Sequence, residues 1–207
     1  MHNIAELVEQ AQTDIGIQKP IEIDSVELEL IPELIAYHEA GHLISFRALY
    51  QGRTVKKAMA GNTSGVVYME PVSNFKFPPL DDNAIAELRE IIFGDPDFYS
   101  AAIRRAAVHF AGHAGERIYM GDAPPIKAIT CPYNAEFDWI DGMGVLSDVG
   151  LFLSGAWLSA QLMAYHVLTD NWKAVEVISE ALQSSDKLNE EQIEELLSDI
   201  KLINKYE

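Results

Sequence analysis

The sequence predicts a mainly α protein, of the α+β class, in which a small β hairpin lies beside one strongly patterned helix. Apolar residues recur at helical spacing through most of the chain. Two neighbouring segments, 54–60 and 65–70, are β-like, and a Gly-Asn-Thr-Ser turn joins them. With 207 residues, 48% of them hydrophobic, the chain is long enough to bury one sizeable core.

The elements are expected in two parts of the chain. Residues 1–32 form an N-terminal extension with a short amphipathic helix and a strand in which apolar and acidic residues alternate. Residues 33–207 form the main domain. Its pattern predicts the hairpin, an irregular segment over 122–144, and helices over 33–50, 81–93, 98–119, 146–168, 172–183 and 190–203.

Local signals mark the ends of these elements. Pro32 precedes the first helix of the main domain, where proline is tolerated, and Gly52 follows it, where glycine favours a stop. Asn189 is a suitable N-cap for the last helix, because its side chain can accept a bond from a free backbone N–H.

The composition excludes several classes of partner. The chain has 15 Lys and Arg against 32 Asp and Glu, a net charge of −17, which repels nucleic acid and anionic membrane surfaces. The uncharged segment 149–168 has the length of a membrane-spanning helix, but polar residues interrupt it and no basic cluster flanks it. A single cysteine, Cys131, gives no sign of an oxidising compartment. We therefore expect a soluble, cytoplasmic protein with no nucleic-acid partner.

The first helix of the main domain contains the motif His38-Glu39-Ala40-Gly41-His42. Two histidines four residues apart project from nearly the same side of a helix, one turn apart, and together can bind one Zn²⁺. Glu39 is rotated away from both, so it can act as a general base toward a metal-bound water. The motif predicts a zinc peptidase site that needs one further protein ligand.

This motif resembles the active-site helix of the FtsH family, the ATP-dependent membrane zinc metalloproteases. Further segments resemble motifs of that family in the same order. They are 55–60 with 65–68 (its hairpin), 110–119 (its Gly-Gly-Arg-x-Ala-Glu-Glu helix), Ser147-Asp148 (its Asn-Asp pair, which opens a long helix) and 171–197 (its terminal helical pair). The resemblance implies that 33–207 is a zincin-like helical peptidase domain. The sequence contains no Gly-x-x-x-x-Gly-Lys-Ser/Thr phosphate loop, so we expect a stand-alone form without the ATPase module and without ATP.

The resemblance implies that Asp148 is the third zinc ligand. The local sequence also favours a ligand role, because Asp148 is a lone carboxylate in the apolar stretch 145–168. A buried carboxylate is costly unless it is paired or binds a metal. Two alternatives stay open. Asp148 could be the N-cap of the helix that follows, and Glu116 could be the third ligand instead.

The expected activity is that of a zinc metalloendopeptidase that hydrolyses peptide bonds in unfolded proteins or peptides. Its cofactor is Zn²⁺, bound by His38, His42 and Asp148, with Glu39 as the general base. Gly65, Val66, Val67 and Tyr68 form either a strand on which an extended substrate pairs or an ordinary hairpin arm. The alternative function is a non-hydrolytic zinc-binding adaptor with the same fold. The sequence leaves open whether the chain forms a homo-oligomer.

Overall fold

The computed structural model describes residues 32–61, 64–70, 96–121, 136–148, 150–151 and 155–206. All of them belong to one compact unit, Ile31–Glu207. The extension predicted over residues 1–32, apart from Pro32, and the helix predicted over 81–93 lie outside the described residues, so both stay predictions.

The described elements follow one another along the chain. They are α1 (Pro32–Leu49), β1 (Val55–Ala60), β2 (Gly65–Met69), α2 (Pro96–Tyr119), α3 (Glu136–Asp148), α4 (Ala156–Asp170), α5 (Trp172–Ser185), β3 (Lys187–Asn189) and α6 (Glu190–Leu197). The predicted class, mainly α with a small antiparallel sheet, is confirmed.

The described sheet has the strand order β2-β1-β3, with both pairings antiparallel. The predicted hairpin forms its first pair, and Ala60 is aligned with Gly65 next to the turn. Strand β3 was not predicted, because three residues are too few to show an alternating pattern. Asn189 ends this strand and caps α6 through a reciprocal capping box with Gln192, which confirms the predicted cap.

Helix α1 lies at the centre of the unit and packs very closely on α2. A Cβ atom added at Gly115 of α2 would lie 2.6 Å from the carbonyl oxygen of Tyr37, and one added at Gly41 would overlap the backbone of Ala111. The Tyr37 ring is also stacked between Tyr119, with ring centroids 4.0 Å apart, and Trp172, at 5.6 Å. These contacts fix the position of α1 at the residue before His38.

The helix boundaries in the second half of the chain differ from the prediction. Helix α3 covers 136–148, although the sequence predicted an irregular conformation up to residue 144. Its two glycines resemble helix breakers in the sequence, but Gly142 lies against Phe110 of α2, where an added Cβ would be 2.6 Å from a ring carbon. The long helix predicted over 146–168 is wrong, since α3 ends at Asp148 and α4 begins at Ala156. Gly150 and Gly155 adopt φ angles of 73° and 74°, which interrupt a helix.

Helix α4, from the uncharged segment, buries a face of small and aliphatic residues, as predicted for a core helix. Among the described helices, none combines the length and the apolar character needed to cross a bilayer. The final helix, α6, is shorter than predicted and ends at Leu197. The chain then lies against Asn171, whose side-chain oxygen accepts from the Ile203 N–H at 2.7 Å and whose amide donates to the Ile203 carbonyl at 2.9 Å.

Candidate metal centre

Helix α1 brings the two predicted histidines together. The ring centroids of His38 and His42 are 4.7 Å apart, and their Nε2 atoms are separated by 3.1 Å. Both side chains are largely buried, because the same stretch of α1 supplies the central core residues Ala40, Leu43 and Ile44.

The outer nitrogen of each ring is held by an acceptor. His42 Nδ1 donates to the Val108 carbonyl at 2.8 Å, and His38 Nδ1 donates to Glu116 Oε1 at 2.6 Å. A neutral imidazole that donates through Nδ1 has a lone pair on Nε2, which is the state a metal requires. The two inner nitrogens therefore point to one place, where they could bind a metal ion.

A carboxylate completes this group, and it comes from α3. Asp138 Oδ2 lies 2.8 Å from His38 Nε2 and 3.3 Å from His42 Nε2. The three edges, 2.8, 3.1 and 3.3 Å, are close to the ~3.3 Å edge of a tetrahedron with ligands about 2.0 Å from its centre. His38, His42 and Asp138 could therefore hold a metal ion.

The structure does not bring Asp148 to the histidines. Asp148 is exposed at the last residue of α3 and, ten residues after Asp138, lies about 15 Å further along that helix. Asp148 is the last residue of a helix and not the residue before one, so the alternative in which it is an N-cap is wrong. Glu116, the rival third ligand, contacts the outer nitrogen of His38 and not the inner one.

The sequence analysis did not identify Asp138, because the prolines and glycines of 122–144 predict an irregular segment there. A helical signal is nevertheless present: Trp139, Met143 and Leu146 follow Asp138 at the spacing of one helix face. All three pack in or against the core. A carboxylate directly before such a stripe lies at the edge of the buried face. From there it can reach a metal ion that is bound next to the core.

Glu39 lies beside this centre and is 4% exposed. Burial raises the pKa of its carboxyl, and the nearby His42 and His38 oppose that rise. Its side chain passes so close to the start of β2 that a Cβ added at Gly65 would overlap it. The first residue of the predicted substrate strand therefore touches the predicted base.

The other three residues predicted to bind substrate continue along β2. Val67 is half-buried and packs against the core, whereas Val66 and Tyr68 are exposed. The Lys57 ammonium lies over the Tyr68 ring, 5.1 Å from its centre. Within the described sheet β2 is an outer strand, which is the position from which an extended peptide can be paired.

The carboxylates and histidines shift one another strongly. Burial lowers the pKa of His38, but its hydrogen bonds with Asp138 and Glu116 outweigh this and raise it to about 10. Burial raises the pKa of Asp138, but the two histidines hold it well below its usual range. Burial also raises the pKa of Glu116, but its contacts with His113 and His38 outweigh this and lower the pKa to about 2.

These shifts predict how Asp138 stabilises the ion-free fold. A carboxyl with a lowered pKa contributes stability above its unfolded pKa of 3.8 and loses it as the pH falls. A histidine with a raised pKa contributes its full stability below its unfolded pKa of 6.5 and loses this contribution as the pH rises toward about 10.

We expect Asp138→Asn to lower the free energy of unfolding by about 1–3 kcal/mol near pH 5, and by less at pH 3 and pH 9. Urea denaturation in the presence of a chelator measures this difference. A difference that is constant from pH 3 to pH 9 would contradict the assignment.

Comparisons with known proteins assign no family to this chain. No family model matches it, and no curated protein is significantly similar to it. The interpretation of the centre rests on its geometry.

Proposed function

We propose that this protein is a zinc metallopeptidase that acts on peptides or unfolded chains. The observation that carries the proposal is the convergence of two imidazole nitrogens and one carboxylate oxygen beside a buried glutamate. A site used only for structure is normally closed by four protein ligands, whereas a catalytic site has three. The described residues offer three.

The ligand set favours zinc over the other common divalent ions. Calcium and magnesium prefer sites made of oxygen ligands, whereas two imidazoles and one carboxylate suit a borderline ion with tetrahedral geometry. His38, His42 and Asp138 are the proposed ligands, in place of the set with Asp148. Glu116 and the Val108 carbonyl orient the two rings from outside.

Each group of the chain then has one task in peptide hydrolysis. When bound, the zinc ion would acidify a water molecule and polarise the scissile carbonyl. The Glu39 carboxylate accepts a proton during attack and returns it to the leaving amine. Its burial suits this task, because a raised pKa brings the carboxyl closer to the working pH. The backbone of β2 aligns an extended substrate next to Glu39 through strand pairing.

We also propose that the domain is a relative of the FtsH peptidase domain. The histidine motif on α1, the hairpin after it and the two closely packed glycines of α2, Gly112 and Gly115, support this relation. The Ser147-Asp148 match does not support it, since Asp148 lies away from the histidines and Asp138 stands in its place.

The variant Glu39→Gln tests the proposed activity. We expect the variant to bind zinc as the wild type does, because Glu39 is not a ligand. Its rate of peptide hydrolysis should fall by at least ~100-fold, the lower end of what a general base contributes. Zinc is measured by elemental analysis, and hydrolysis by digestion of casein and of a peptide library.

The same experiment includes the control and the opposing outcomes. A chelator should abolish wild-type hydrolysis, and added zinc should restore it. Substantial turnover by Glu39→Gln would refute its role as the base. A wild-type protein that binds zinc but cleaves none of these substrates would favour the adaptor function, and one that binds no zinc would overturn both functions.

A further inference from the structure

Helix α2 presents two histidines that the proposed reaction does not use. His109, Gly112, His113 and Glu116 follow the spacing of one helix face. Gly112 marks where this face points, because a Cβ added there would overlap the Nε2 atoms of both ligand histidines. The polar side chains of this face are therefore next to the metal centre.

Glu116 lies between two imidazoles. Its Oε1 accepts from His38 Nδ1 at 2.6 Å, and its Oε2 is 3.6 Å from His113 Nδ1. The exposed fractions of the side chains of His38, Glu116 and His113 are 13%, 14% and 16%. Charge interactions are weakly screened at such burial. Each carboxylate oxygen thus faces one ring.

The nitrogen of His113 that faces Glu116 is itself unusual. Nδ1 is buried, and within the described part of the chain it has no hydrogen-bond partner at normal distance. A buried polar atom without such a partner costs about 1–3 kcal/mol. The cost is offset if the ring is kept there for its contact with Glu116. Without this second neighbour, the hydrogen bond with His38 is the one described contact that orients the carboxylate.

We propose that His113 is a positioning residue: it holds Glu116 against His38 and so fixes the direction of the His38 Nε2 atom toward the metal. The inference rests on the proposed zinc centre but concerns a residue outside the ligand set. Loss of the outer partner of a metal-bound histidine typically weakens metal affinity 10–100-fold. His113 acts one contact further out, so we expect an effect of about 10-fold.

The test measures zinc affinity in the full chain by competition with a chromophoric chelator. We expect His113→Leu and His113→Gln to weaken the dissociation constant about 10-fold. His113→Asn should keep nearly the wild-type value, because its amide N–H stands where Nδ1 stands. His166→Leu is the matched control: His166 is an exposed histidine of α4, packed on Tyr165, and its loss should leave the affinity unchanged.

A double-mutant cycle separates positioning from a general structural effect. In a Glu116→Gln background, His113→Gln should cause little further loss, because the interaction it removes is already broken. Additive losses would overturn the proposal, as would equal affinities of His113→Gln and the wild type. If the wild type itself binds no zinc, the proposed function fails first. If the wild type binds zinc and only the His113 variants behave otherwise than expected, the function stands and this inference alone is wrong.

Discussion

Replacing Asp138 by alanine is expected to abolish stoichiometric zinc binding, whereas replacing Asp148 by alanine is expected to leave it intact. Asp138 Oδ2 lies within 3.3 Å of both inner histidine nitrogens, and Asp148 is exposed at the far end of the same helix. Since loss of an outer partner already costs 10–100-fold, loss of a direct ligand should exceed about 100-fold in the dissociation constant.

The two variants form a matched pair on one helix. Each removes one carboxylate from α3 and changes the net charge by the same amount, so long-range electrostatics cannot explain a difference between them. Elemental analysis after dialysis and a chelator competition measure the outcome. If Asp148→Ala lost the ion while Asp138→Ala kept it, Asp148 would be the third ligand, as the resemblance to the FtsH family implies. The arrangement of α3 described above would then be refuted.

The second large effect is expected from the smallest substitution, Gly112→Ala. The added methyl group would overlap Nε2 of both His38 and His42, which are the atoms that have to face the ion. We expect Gly112→Ala to lose zinc and hydrolysis together while the helical circular dichroism is kept. Alanine is favoured over glycine in a helix, by about 1 kcal/mol, so the backbone of α2 has no local reason to unfold.

Gly144→Ala on α3 is the control for this substitution. An added Cβ at Gly144 meets no atom within 4 Å. This variant should bind zinc normally and unfold at an equal or higher temperature, because the same helix preference acts without the overlap. Normal zinc affinity of Gly112→Ala would show that the histidine rings do not lie against α2 as described.

The parts of the site that were predictable are those set by local sequence. Helix α1 determines the relative positions of His38, Glu39 and His42 by its pitch alone, and the hairpin after it follows from a short turn. The third ligand depends on which distant segment packs on α2. Two signals conflict there, because an apolar helical stripe follows Asp138 and two glycines lie within that stripe.

The contact between α2 and α3 explains why the glycines were misinterpreted. Gly142 is needed so that α3 can approach Phe110, a requirement that appears only once the two helices are packed. Asp148 ends a helix, whereas the sequence predicted that a helix begins near it, and the reason is related. Helix α3 ends at Asp148, Gly150 and Gly155 have positive φ angles, and α4 begins at Ala156, so Asp148 and the apolar run after it do not form one helix.

The three proposed ligands come from two separate helices, which has a consequence for folding. An ion shared by α1 and α3 would act as a cross-link between segments that are far apart in sequence, comparable to a disulfide in a chain that has one cysteine. A ligand at 100 times its dissociation constant adds about 2.7 kcal/mol to the folded state. Metal supply in the surroundings would then set both the reactivity of this protein and its lifetime as a folded chain.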